Sequence, residues 1–348
     1  MTTSRIMALS KVAFVLLAVM LIVQVMLPAG LRAWRFDPLT DPVHAHPERV
    51  DDSAGMSSVI HVGSAGQVDA GDGVSTASVV SVEGRPLLFA DDFDGASLDE
   101  SKWNPHYWWR DDEDGCTIAP NNELQWYQPD DVIVADGTLK LRGQQRTVTT
   151  CDGEVYNFTS GVVTTGKEAW DHPEPDKFAF LYGYAEARLK MPLGQGLWPA
   201  FWLLSCDQEW PPEIDVMEFL GHKPTITHMT YHYLDDEGTH RGSGDWWTGP
   251  DFSSDWHTFA IDWRPDAIVW YVDGVERYRF TDATRIPHEP MYLVLNLAIG
   301  GDWPGPPNET TPFPSYFEAD YVKVWSPTAT DTDPSAQQAR LADETSQS

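Results

Sequence analysis

At 348 residues the chain has room for one large domain or two small ones. Its 53 acidic and 23 basic residues leave a net charge of −30, which disfavours nucleic acid, anionic membrane surfaces and strongly anionic polymers as partners and tolerates a neutral one. Sixteen tryptophans supply a core and leave rings for a surface task, and three cysteines allow at most one internal disulfide.

Residues 12–31 carry no charge and are mostly apolar, with Arg5 and Lys11 before them and Arg32 and Arg35 after. About 20 such residues span a bilayer, and a cleaved signal peptide fits the pattern as well, so residues 1–35 are expected to be a signal peptide or a signal anchor. Either places the rest outside the cytoplasm, secreted or held at the cell surface. Basic residues at both flanks leave the orientation open. Residues 36–85, rich in Asp, Gly, Ser, Ala and Val without a sustained period, read as a flexible linker.

From residue 86 the texture changes. Short β-type runs recur at 132–134, 138–141, 161–165, 184–190, 200–204, 258–263, 268–272, 291–299 and 321–325, separated by Gly, Pro, Asp and Asn. Sustained helical periodicity is absent, and Val272-Asp273-Gly274-Val275 carries a hairpin signal. Many short strands predict an all-β sandwich. Cys116 and Cys151, on neighbouring loop and strand segments, are the preferred disulfide pair. Asn157 and Asn308 open glycosylation sequons, meaningful only in a glycosylating host.

Trp198 and Trp202 are four apart, so on a strand they share one face. Two readings stand for them: core packing, or a platform for the apolar C–H face of a sugar ring. Trp126 and Trp303 are weaker candidates for the same task, and the Pro-Gly-Pro-Pro run after Trp303 is a rigid loop.

The stretch Glu213-Ile214-Asp215-Val216-Met217-Glu218 reads as a strand because its filling is apolar and partly β-branched. Glu213 and Asp215 point the same way, whereas strict alternation hides Glu218. A β-bulge near Val216 and Met217 would return Glu218 to the acidic face; without it the three acids are not one site. With it, the two Glu Cα atoms lie roughly 13 Å apart and their carboxyl groups about 5 Å, a gap suited to a nucleophile facing an acid/base. Asp215, between them, is expected to help keep Glu213 ionised while crowded charge raises the pKa of Glu218. The spacing alone is weak, since so acidic a chain meets it about once by chance. His228 and His232, also four apart, belong to a strand expected beside the acids. Each is structural, or bonds Asp215 or a ligand hydroxyl. Residues 327–348 are polar and read as a disordered tail.

At these acids the sequence resembles glycoside hydrolase family 16, and within it the laminarinase-like endo-β-1,3-glucanases. The E-x-D-x-x-E hallmark is met by Glu213, Asp215 and Glu218. Other segments follow in the family's order: 91–95, 121–127, 136–139, 182–188, 196–204, 257–260, 271–274, 295–301 and 320–325. The likeness covers about residues 86–326. Pro211-Pro212 replaces the common Cys-Gly before the first Glu, and Asp92 replaces a longer acid. The resemblance implies a jelly-roll sandwich of two antiparallel sheets with the acids in a concave cleft. It implies Glu213 as nucleophile, Asp215 as its assistant and Glu218 as acid/base, cutting a neutral β-glucan, β-1,3-linked before other linkages, with retention. Trp198, Trp202, His228, His232, Asn122, Trp126 and Trp303 become candidate sugar contacts. No catalytic cofactor is implied; a structural calcium is, at Asp92, the Gly137 carbonyl and Asp320. A monomer is expected. Two rivals share the fold: a non-catalytic β-glucan receptor and a transglycosylase.

Overall fold

The computed structural model describes residues 82–109, 118, 121–150, 153–169 and 174–328. The expected signal segment, most of the expected linker, the expected Cys116–Cys151 pairing and the expected tail from residue 329 lie outside them. Within them the regular structure is β-strand with short 3-10 turns such as Pro129–Asp131, and no helix is long and apolar enough to cross a membrane.

The strands form two sheets. The first has ten strands: β1 (Leu87–Asp91), β2 (Gln125–Tyr127), β3 (Val132–Ala135), β4 (Thr138–Thr149), β5 (Val155–Ser160), β7 (Gly183–Lys190), β12 (His257–Trp263), β13 (Ile268–Val272), β14 (Val275–Phe280) and β16 (Ser315–Trp325). The second has six, in the order β11 (His240–Thr248), β10 (Ile226–Leu234), β9 (Glu213–Phe219), β8 (Leu197–Ser205), β15 (Met291–Ile299) and β6 (Val162–Thr164). All-antiparallel pairing was expected. One pair departs, since β2 runs parallel to β5.

Between the sheets lies one large core, in which Phe201, Ile214, Met229 and Leu295 from the six-stranded sheet meet Leu189, Ile261, Trp270 and Val322 from the ten-stranded one. A second apolar cluster covers part of the other face of the six-stranded sheet. There Tyr107, Trp108, Trp126 and Tyr127 lie over Ala200, Trp202, Leu204, Tyr292 and Val294. This aromatic layer rests on β8, β15 and β6; the site described next is built on β9 and β10, beside it.

Candidate active site

The register of β9 against its neighbours explains how three acids reach one face. Against β10, Glu218 lies opposite His228 and Asp215 opposite Thr230, so three steps on β9 match two on β10. Against β8, Met217 pairs with Phe201 and Asp215 with Trp202, so the extra residue is Val216. Ile214, Val216, Met217 and Phe219 all enter the main core. The bulge expected at Val216 and Met217 is therefore present, and it turns Glu213, Asp215 and Glu218 away from the core together. The carbonyl of Asp215, beside the bulge, accepts a hydrogen bond from the indole Nε1 of Trp270 at 2.8 Å, donated from β13 in the facing sheet.

Glu213 and Glu218 each accept a hydrogen bond from an indole, and Asp215 faces His232. Trp210 Nε1 donates to Glu213 at 3.0 Å, and Trp198 Nε1 donates to Glu218 at 3.1 Å. His232 Nε2 lies 3.2 Å from Asp215 Oδ2 and 3.8 Å from Glu213 Oε1. The other ring nitrogen of His232 meets His240 Nε2 at 2.9 Å, and His240 packs against Trp210 with ring centroids 4.6 Å apart. Oxygen and nitrogen atoms of Glu213, Asp215 and His232 all lie within 4.8 Å of one another.

Burial raises the pKa of all three acids, because a charged carboxylate loses its water there. Asp215 is pushed up to about 8. Glu213 and Glu218 are raised well above the usual carboxylate range, first by burial and then by the neighbouring charge of Asp215. The sequence reading gave Asp215 the task of keeping Glu213 ionised, and that is corrected: an acid beside an acid disfavours a second negative charge. What favours the Glu213 carboxylate is His232 and the Trp210 N–H, and for Glu218 it is the Trp198 N–H.

The remaining sequence candidates fall in different places. Trp202 and Trp198 are on the site face but only 7% and 9% exposed, packed rather than laid open. Trp202 Nε1 donates to Asn296 Oδ1, whose amide in turn donates to the Tyr127 hydroxyl. Trp303 joins two candidates, with ring centroids 5.3 Å from Trp198 and 4.8 Å from His228. Its loop comes close because Gly196 has φ +79° and a side chain there would meet Pro307 N at 2.4 Å. Asn122 donates to Asp302 at 2.9 Å in an exposed loop, and Trp126 packs on Tyr156 in the aromatic layer. Of the donors the resemblance implied for calcium, Asp92 pairs with Lys323 and Asp320 with Arg188, each at 2.6 Å.

Sequence reasoning missed Trp210, His240 and Trp270. Trp210 precedes Glu213 by three residues, and its nearness was a readable signal. His240 needed the pairing of β11 with β10, and Trp270 needed the stacking of the two sheets.

Comparison with known proteins agrees with this architecture. A family profile described as glycosyl hydrolases family 16 matches residues 132–321. The chain is 36% identical over 251 residues to an endo-1,3-1,4-beta-glycanase of Rhizobium meliloti, covering 68% of this chain and 51% of that protein. It is 32% identical over 278 residues to a glucan endo-1,3-beta-glucosidase of Niallia circulans, covering 72% of this chain and 39% of that one. The chain thus spans about half or less of the length of these relatives. The solved endo-beta-1,3-glucanase of Pyrococcus furiosus superposes with a TM-score of 0.61 at 34% identity, over 71% of this chain and 97% of that one. The chain belongs to glycosyl hydrolase family 16.

Proposed function

We propose that the protein is a retaining endo-glycosidase of neutral β-glucan, with β-1,3 linkages its first substrate. The bulge at Val216 carries this reading, because it supplies two glutamates on one face with an aspartate between them. Binding a sugar needs no such set; double displacement does. The names of the relatives, an endo-1,3-1,4-beta-glycanase and a glucan endo-1,3-beta-glucosidase, support the substrate class.

Glu218, kept protonated by burial, gives its proton to the glycosidic oxygen as that bond breaks. Glu213 attacks the anomeric carbon and forms a glycosyl-enzyme. Glu218, now a carboxylate, takes a proton from water; the water oxygen attacks the same carbon and frees Glu213, so configuration is retained. The Glu213 carboxylate is held by the Trp210 N–H and faced by His232. The set needs no catalytic metal. We place the substrate groove of a jelly-roll sandwich on the open face of β9 and β10, and the protein outside the cytoplasm as a monomer, exported or tethered through residues 1–35.

The test is release of reducing ends from laminarin. The wild type should release them, and Glu213→Gln should lose at least about a thousandfold in kcat, the scale of a group that acts on the reacting atoms. Binding without release by the wild type would make it a receptor. Products longer than the donor would make it a transglycosylase.

A further inference from the structure

Among the described residues β11 is the edge strand of the six-stranded sheet, next to β10, and it carries a tryptophan that the site just described does not use. Trp246 lies directly opposite His228, which lies opposite Glu218, so all three stand in one row on one face. Trp247, the next residue, faces the other way and packs under the Arg277 guanidinium, 3.7 Å above its ring. Trp246 is 37% exposed and the sole tryptophan among the exposed large apolar side chains of the described residues. Beside it the floor is bare. Gly244 is opposite Thr230 and Gly242 opposite His232, on the same face. A side chain at Gly244 would meet the Met229 carbonyl at 2.4 Å, so none fits there.

We propose that Trp246, with the Gly242–Gly244 trough, is an outer sugar-binding subsite. A glucosyl ring lies with its C–H face on the indole there while the chain crosses the sheet edge. The inference rests on the β-glucan reading and extends it. A chain threading between Glu213 and Glu218 crosses the strands over the row of Asp215, Thr230 and Gly244, and Trp246 borders that path on the Glu218 side. β11 is two strands from β9, roughly 10 Å, the span of a disaccharide. The subsite therefore grips a ring some two units from the bond that breaks, and it serves long substrates more than short ones. Indole suits a neutral sugar because stacking uses the apolar face and needs no charge.

The experiment compares wild type, Trp246→Phe and Trp246→Ala on β-1,3-gluco-oligosaccharides of rising length and on laminarin. For Trp246→Ala we expect KM to rise about fivefold to tenfold on the longest substrates, with less than about twofold change in kcat or on trisaccharide, and for Trp246→Phe a smaller loss, as one stacked ring would give. An equal loss at every length would assign Trp246 a structural role and overturn the subsite. So would unchanged kinetics in an active enzyme. Should the wild type cut no β-glucan, the activity reading fails on its own. Retardation of wild type in laminarin-containing native gels, lost in Trp246→Ala, would then still support the subsite, and equal migration of the two would overturn it. A wild-type dimer in sedimentation that Trp246→Ala dissociates would overturn it too, assigning the edge to a second copy of this chain.

Discussion

Asp215 is the most deeply set of the three acids, 3% exposed between Glu213 and Glu218. Its pKa of about 8 against an ordinary 3.8 makes it a stability group as well as a site group. The folded state holds the Asp215 proton up to about pH 8, while the unfolded chain gives it up near 4. Folded protein therefore binds more protons across that window, and stability falls as pH rises through it. Asp215→Asn has no proton to lose. Its melting temperature, equal to or below that of the wild type at pH 4, should overtake the wild type by pH 8 in calorimetry at both values. A parallel pair of melting curves would contradict the assignment. Trp198 offers a second handle. Its indole N–H favours the Glu218 carboxylate, so Trp198→Phe should move the alkaline limb of kcat/KM to higher pH and slow breakdown of the glycosyl-enzyme. The roles of residue type were readable here: Glu at both ends gives the reach, and Asp between them does not compete for it. The sign of the coupling was not, because it depends on burial, which no single strand reports.

At the scale of the element, the bulge is the device that decides the site. Strict alternation would have sent Glu218 into the core among Phe201 and Phe219. The extra residue sends Val216 and Met217 there instead. Apolar residues at both positions made this legible, since each is content in a core. The support of the bulge was not legible. Trp270 Nε1 donates to the Asp215 carbonyl from the other sheet, 55 residues away in the chain. Trp270→Phe keeps the ring and removes the donor, leaving a buried carbonyl unsatisfied. It should cost about 1–3 kcal/mol in denaturant unfolding and lower kcat more than it raises KM, because the acids shift while the sugar contacts stay. A variant that unfolds earlier with unchanged kcat would show that the bulge holds itself.

At the scale of the whole molecule, the packed domain begins before the boundary at residue 86 that texture suggested. Arg85 makes two hydrogen bonds to Asp262, at 2.9 and 3.0 Å, with both side chains only 6% exposed. Val82 packs against the cluster of Tyr184, Val269 and Tyr271. Removing Arg85 leaves a buried carboxylate without that partner, so Arg85→Met should cost about 3–5 kcal/mol in urea titration, far above an exposed pair. A chain cut to begin at residue 86 should be less stable than one that begins at residue 82 by a similar margin. The composition shift near residue 86 marked the change of texture faithfully but not the last packed residue, because one arginine at a linker end looks like any other.

By itself the sequence determined that this is a chain of short strands, that one of them carries three acids with the spacing of a bulged strand, and that tryptophans and histidines flank them. These are local matters: alternation, residue size and charge are written within a few positions. Only the tertiary structure decided which indole holds which carboxyl group, that Trp198 and Trp202 are packed rather than open, that His240 backs His232, and that Trp246 stands on the site face. Those contacts depend on strand register across the sheet and on how two sheets stack, and neither is encoded in any one segment.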